Sequence, residues 1–133
     1  GSGPQLLPYR LGSHDLQFAD GEWVYHDSYF GDADFLGQEV VYRRGAPVWG
    51  MNYYGRLLLP GRISASEIGQ MIKRSLTLLY AEGRFLGGFE HVAGDLRYTD
   101  ETEGDVRAFR GVERIYLSGE LAYRLRYHGG LIR

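Results

Sequence analysis

Three side chains of this sequence could carry acid/base chemistry: His128, Glu39 and Asp27. His128 ends a strongly alternating segment, and the two glycines after it leave room for a ligand. Histidine changes charge near neutral pH, which suits proton transfer. A buried Glu39 would have a raised pKa, and Asp27 could orient an imidazole. The sequence therefore predicts an acid/base pair of His128 with one of the two carboxylates.

Each of these residues also has a structural interpretation. The His128 ring could bond a backbone carbonyl at a strand end, and Asp27 with Ser28 fits an Asx-type turn. Glu39 fits a cross-strand salt bridge to Arg56 or a charge that protects a sheet edge. The residue types alone leave both interpretations open.

Aromatic residues beside glycines form a second group of candidates, for binding a ligand. An aromatic ring offers a flat apolar surface with few rotors to freeze, and a neighbouring glycine allows a close approach. The predicted ligand-binding residues are Tyr29, Trp49, Asn52, Tyr53 and Tyr127. Because aromatic residues more often fill a core than a site, packing between sheet and helix is the alternative.

The sequence predicts no metal site and no cofactor. Its four histidines lack metal-ligand spacing, and it contains no cysteine. The acidic run from Asp100 to Asp105 lacks the spacing of a calcium loop, so we expect a solvated hairpin loop there. No phosphate-binding loop or nucleophile elbow is found.

Composition is that of a globular domain: 133 residues, 44% hydrophobic and 24% charged. A net charge of −2 gives no broad attraction to nucleic acid, and no apolar run is long enough to span a bilayer. The lack of cysteine fits the cytoplasm. The expected partners are a small-molecule ligand and a second copy in a homodimer, with no membrane and no direct nucleic acid.

One long helix and several strands must position these residues. Ser64 and Glu67 fit a capping box, apolar residues then recur at helical spacing, and Gly83 fits the C-terminal cap. A hairpin is predicted with a Gly/Pro loop at Arg44-Gly45-Ala46-Pro47, and another at the two-residue linker Ser118–Gly119. The expected fold is α+β, a curved antiparallel sheet of about six strands packed around one long central helix. No internal repeat of useful length is evident.

Domain boundaries follow from the same patterns. Residues 1–20 are expected to be irregular and to begin with the remnant of a tag, and residues 21–133 to form a single α+β domain.

Several motifs together resemble a bacterial domain family of unknown function, whose members occur alone or C-terminal to helix-turn-helix DNA-binding domains. The motifs are Tyr29-Phe30-Gly31, Gly37-Gln38-Glu39-Val40-Val41-Tyr42, Pro47-Val48-Trp49-Gly50-Met51-Asn52-Tyr53-Tyr54-Gly55 and Tyr127-His128-Gly129-Gly130. The resemblance implies no activity or catalytic residues. It implies only a setting in which a sensor domain would be found.

These observations favour a small-ligand-binding domain, of a sensory kind, with an aromatic-lined cleft. A cofactor-independent enzyme that uses the His–carboxylate pair on a small metabolite is the first alternative, and a protein-interaction module is the second.

Overall fold

A computed structural model describes residues 5–81 and 88–133 of the chain. The strands in chain order are β1 (Gln5–Leu6), β2 (His14–Asp20), β3 (Trp23–Gly31), β4 (Phe35–Arg43), β5 (Ala46–Leu57), β6 (Phe89–Ala93), β7 (Leu96–Asp105), β8 (Ala108–Leu117) and β9 (Glu120–Leu131). Helix α1 (Ala65–Ala81) lies between β5 and β6. No helix in these ranges is both long and apolar enough to cross a membrane.

All nine strands belong to one open antiparallel sheet, in the order β1-β2-β3-β4-β5-β9-β8-β7-β6. The prediction of about six strands around one long central helix is therefore wrong, and the domain is mostly β. Helix α1 has 17 residues and contacts β6 and β7, so it covers one end of the sheet instead of being wrapped by it. The error arose because strands in the segments counted as loops were missed.

Two charged segments differ from their predicted structure. Residues 14–20, in the segment expected to be irregular, form β2 and pair with β3 along its length. The acidic run from Asp100 to Asp105 lies in β7 and is no hairpin loop. Alternate residues of that run point to opposite faces, so Asp100 is buried while Glu101 and Glu103 remain exposed.

Both predicted hairpins are present, but the first loop is shorter than predicted, because Ala46 and Pro47 belong to β5. Arg44 and Gly45 connect β4 to β5 with φ values of 52° and 80°, and Ser118 and Gly119 connect β8 to β9 with 48° and 85°. Two consecutive residues with positive φ form the turn whose twist matches that of antiparallel strands. The turns fix the registers of both hairpins.

The capping box of α1 is also confirmed. The Glu67 amide donates to Ser64 Oγ at 3.1 Å, and the Ser64 amide donates to Glu67 Oε1 at 3.2 Å. The helix buries Ile68 and Met71 in one core with strand residues of β7, β8 and β9. Gly83, the predicted C-terminal cap, lies outside the described residues.

The two faces of the sheet differ sharply in composition. We call the face that α1 covers the inner face; it carries Tyr98, Tyr123 and Tyr127. The opposite, outer face carries Arg124, Arg126 and other polar residues of the same strands. Across β2 and β3, residues 9–13 cover the outer face, because the Tyr9 ring packs on His26 and Arg10 bonds Ser28.

The sheet contains an internal repeat, contrary to the prediction. Strands β2 to β5 and strands β6 to β9 form two meanders, and the strand order is symmetric about the central β5–β9 pair. Identical residues at equivalent inner-face positions are Tyr25 and Tyr98, Asp27 and Asp100, Phe35 and Phe109, Gly37 and Gly111, Glu39 and Glu113, Tyr53 and Tyr127, and Gly55 and Gly129.

The repeat behaves as a pseudo-two-fold about the centre of the sheet. Tyr53 and Tyr127 are equivalent in the two meanders, and they are also direct partners across β5 and β9. Equivalent residues can face each other in this way only where a two-fold axis passes between them. The repeated identities lie mainly on the inner face; most outer-face pairs, such as Tyr54 and His128, differ, although Tyr42 and Tyr116 agree.

Candidate functional site

The inner face of the first meander holds a pair of carboxyl groups bonded to tyrosines. Asp27 and Glu39 are direct partners across β3 and β4. Tyr53 donates its hydroxyl to Asp27 Oδ1 at 2.5 Å, and Tyr25 donates to Glu39. Two of the predicted catalytic residues therefore come together, each with a phenol as a hydrogen-bond donor.

The second meander repeats the arrangement. Asp100 and Glu113 are direct partners across β7 and β8. Tyr127 donates to Asp100 Oδ1 at 2.7 Å, and Tyr98 donates to Glu113. Tyr98 is fully buried in the core that includes α1 residues. Because the second copy lies within a packed core, we interpret both carboxyl pairs as structural units of the fold.

We call Tyr53 and Tyr127, which pair at the centre of the sheet, the central tyrosines; a glycine makes room for each of them. A Cβ at Gly37 would lie 2.3 Å from Tyr53 Oη, and a Cβ at Gly111 would lie 2.2 Å from Tyr127 Oη. Each tyrosine therefore crosses the neighbouring strand over a bare backbone position to reach an aspartate on the strand beyond. No larger residue fits beneath the ring.

All four carboxyl groups have raised pKa values. Burial is the main cause for Asp27, Glu39 and Asp100, and it outweighs the hydrogen bonds that their tyrosines donate. Burial raises the pKa of Glu113 to about 7, and the nearby Asp100 and Glu39 carboxylates add to the shift. At mildly acidic pH the Glu113 carboxyl is therefore mostly protonated.

We expect the stability of this domain to fall as the pH rises through neutrality, in part because of Glu113. Its folded-state pKa of about 7 exceeds its usual value of 4.5. The protonated carboxyl therefore stabilises the fold fully below pH 4.5, and this contribution is lost as the pH rises through 7. Replacing Glu113 with glutamine should leave stability unchanged at pH 4.5 and raise it by roughly 2–3 kcal/mol at pH 8.

Urea unfolding of the wild type and of Glu113→Gln from pH 4.5 to pH 8 measures this difference. The exposed Glu103→Gln is the matched control and should keep the pH dependence of the wild type. An unchanged difference between wild type and Glu113→Gln across that range would contradict a raised pKa at this position.

A separate buried cluster fixes the N-terminal segment. Asp15 is fully buried and accepts hydrogen bonds from His26 Nε2 at 2.7 Å, Ser13 Oγ at 2.6 Å and the Tyr9 amide at 3.2 Å. Although burial acts to raise the pKa of Asp15, these bonds together hold it well below its usual range. Ser28 donates no bond to His26, so the Ser–His–Asp composition is not a catalytic triad.

The outer face carries an open groove of about 750 Å³ across β4, β5, β9, β8 and β7. Its apolar and aromatic side chains include Leu36, Tyr54 and Val112, and its polar ones include Asn52, Arg126 and His128. The Asn52 amide oxygen accepts a bond from Gln38 Nε2 at 2.8 Å, which leaves its two N–H donors for a ligand.

The groove brings together four of the predicted site residues: Asn52, Tyr53, Tyr127 and His128. Asn52 and His128 are direct partners across β5 and β9 and project from the outer face. Tyr53 and Tyr127 border the groove, but their hydroxyls bond carboxylates on the inner face.

The structure does not bring His128 together with Glu39 and Asp27, because the sheet lies between them. Trp49 and Tyr29 also lie apart from the groove. The Trp49 ring stacks on Phe109 at 5.7 Å, and the Tyr29 ring lies 5.1 Å from His14.

Sequence reasoning missed the groove residues Tyr54, Leu36, Val112 and Arg126. Strand alternation puts Tyr54 on the face of Asn52, but alternation within one strand does not identify the residues beside it on the partner strands. Pairing β5 with β9 puts Tyr54 opposite Arg126, and pairing it with β4 puts Tyr54 opposite Leu36. A correct strand order would have been enough to predict the groove.

Comparison with known families places most of this chain in one domain. The profile of the domain of unknown function DUF5680 matches residues 27–132. The chain belongs to the DUF5680 family. The match confirms the resemblance to a family of unknown function. No curated protein and no solved structure matches the chain.

The DUF5680 match extends from the middle of β3 to the C-terminal end of the sheet. It therefore includes both carboxyl pairs and every side chain of the outer-face groove, whereas the Asp15 cluster on β2 precedes it. Among residues 5–81 and 88–133, no three metal-ligating side chains are grouped as a metal site.

Proposed function

We propose that this DUF5680 domain binds a small organic ligand in the outer-face groove. The proposal is based on one observation. Aromatic and apolar side chains of the groove lie beside polar side chains that still have unused hydrogen-bond donors or acceptors. A volume of about 750 Å³ lies in the range of sites for small molecules. Tyr54 is 47% exposed and Leu36 55% exposed, so both offer apolar surface to a ligand.

The polar groups of the groove suit the orientation of a ligand. Asn52 can donate two hydrogen bonds, and the exposed His128 ring can donate or accept. Arg126 makes no ion pair with a described residue and supplies a cation at the same end. Such a site, with a few polar groups on an apolar surface, is typical of ligand recognition.

The setting we propose is sensory and cytoplasmic. Its support is the lack of cysteine and the resemblance of the sequence motifs to a family whose members occur C-terminal to helix-turn-helix domains. Acid/base catalysis by His128 with Glu39 or Asp27 has less support, because these side chains lie on opposite faces.

Proton–nitrogen correlation spectra recorded with pools of cellular metabolites test the proposal. We expect a binding pool to shift the amide signals of β5 and β9 near Asn52 and His128, and Tyr54→Ser to weaken binding by at least tenfold. The control Phe18→Ser removes an equally exposed aromatic side chain from β2 and should leave binding unchanged. Shifts confined to other parts of the sheet would refute the groove as the site.

A further inference from the structure

Three arginines stand in direct cross-strand register beside the groove. Arg56 on β5 lies opposite Arg124 on β9, which lies opposite Arg114 on β8. We call these three residues the arginine ladder. Arg126, one outer-face position farther along β9, extends the ladder into the groove. Like charges placed directly opposite each other on a sheet repel and destabilise it.

Acidic side chains in the described part of the chain compensate the ladder poorly. Arg114 approaches Glu101 at 3.8 Å, a distance at the limit of an ion pair, and both lie on the surface. Arg56 and Arg124 make no ion pair with a described residue. The neighbouring Glu103 bonds Arg110 at 2.9 Å. Two of the three ladder arginines, Arg56 and Arg124, therefore lie close together without an ion-pair partner in the described part of the chain, and the third has only a long one.

We propose that the arginine ladder binds the anionic group of the ligand, and that this group is a phosphate. The inference rests on the proposed function, because the ligand's organic part would lie on Tyr54, Leu36 and Val112 in the adjoining groove. Guanidinium groups match phosphate oxygens through paired N–H donors, and several arginines can share one dianion. A bound phosphate offsets the repulsion between the ladder arginines, and the loss of this repulsion makes the binding free energy more favourable.

Three simple probes separate the two parts of the site: inorganic phosphate, phenyl phosphate and phenol. Titrations followed by amide chemical shifts report binding even in the millimolar range. We expect phenyl phosphate to bind at least tenfold more tightly than phosphate, and phosphate more tightly than phenol. Arg124→Gln should weaken phenyl phosphate at least tenfold and leave phenol unchanged. Arg43→Gln, which removes a strand arginine far from the ladder, should bind all three probes as the wild type does.

The probes distinguish failure of this inference from failure of the proposed function. If phenol binds as tightly as phenyl phosphate, the ladder is not an anion site, although the groove still binds organic ligands. If phosphate binds as tightly as phenyl phosphate, the ladder binds anions but the groove adds nothing. No binding of any probe overturns both. Tighter binding of a short single-stranded oligonucleotide through Arg124 would overturn the small-ligand assignment.

Thermal stability provides a second test. If Arg124 had only a structural role, we would not expect its replacement to raise the Tm. In buffer free of phosphate, Arg124→Gln should raise the Tm by about 2 °C, because it removes the middle charge of the ladder. Added phenyl phosphate should raise the Tm of the wild type more than that of the variant. A lower Tm for Arg124→Gln in phosphate-free buffer would show that the ladder is compensated, and would overturn the inference.

Discussion

Replacing Gly111 with alanine is expected to lower the free energy of unfolding by about 3 kcal/mol or more. The new Cβ would lie 2.2 Å from Tyr127 Oη and 2.7 Å from the Glu101 carbonyl oxygen. The backbone oxygen cannot move away without distorting β7, and the tyrosine cannot move without losing its bond to Asp100. Gly37→Ala should have a similar but smaller effect, since the atoms it would meet first belong to the Tyr53 side chain.

Chemical unfolding of both variants measures the effect, with Gly69→Ala as the control. Gly69 lies in α1 with no atom within 4 Å of an added Cβ, so alanine there should stabilise the helix by up to about 1 kcal/mol. Losses below about 1 kcal/mol in both strand variants would show that the central tyrosines do not cross over these glycines.

Removal of the Asp15 carboxylate is the second large effect that we expect. Asp15→Ala should lower the free energy of unfolding by about 3–5 kcal/mol, because His26 would remain buried without its acceptor and the Tyr9 amide would lose its own. Residues 9–13 should also detach from the outer face of β3. The exposed Asp20 at the other end of β2 provides the control, and Asp20→Ala should change stability by no more than about 0.5 kcal/mol.

The Asp15 contribution depends on pH in the opposite sense to that of Glu113. Because hydrogen bonds hold the folded-state pKa of Asp15 below its usual value of 3.8, its contribution is full above that pH. It is lost as the pH falls toward the lower folded-state pKa. The destabilisation by Asp15→Ala should therefore be constant from pH 5 to pH 8 and shrink below pH 4. A loss that stayed constant to pH 2 would contradict the lowered pKa.

Local patterns in the sequence predicted the local structure well. The capping box at Ser64 and the two hairpins at Arg44–Gly45 and Ser118–Gly119 depend on neighbouring residues, and all three are present, although the first hairpin loop is shorter than predicted. The order of the strands depends on contacts between distant residues, such as Tyr53 with Tyr127, which local patterns do not contain. The fold class was therefore wrong although most of the individual elements were correct.

The internal repeat escaped sequence analysis for a related reason. Its identical residues occupy alternate positions, so diverged outer-face residues separate Tyr25 from Asp27 and Gly37 from Glu39. The spacing from Gly104 to Phe109 is also one residue longer than the spacing from the equivalent Gly31 to Phe35, which shifts the alignment between the two meanders. The strand register removes both obstacles, because it identifies the residues that share a face.

Because the repeated identities lie mainly on the inner face, we expect the two faces of the sheet to differ in their tolerance to substitution. On the inner face, Tyr53 must both pack in the core and donate a hydrogen bond to a carboxyl group, and Gly111 must leave space for the Tyr127 ring. An outer-face residue such as Tyr54 or Arg126 has no equivalent constraint, and the two meanders already differ there. The same strands can therefore keep one scaffold while the outer face changes, and directed evolution of the binding we propose should target the outer face.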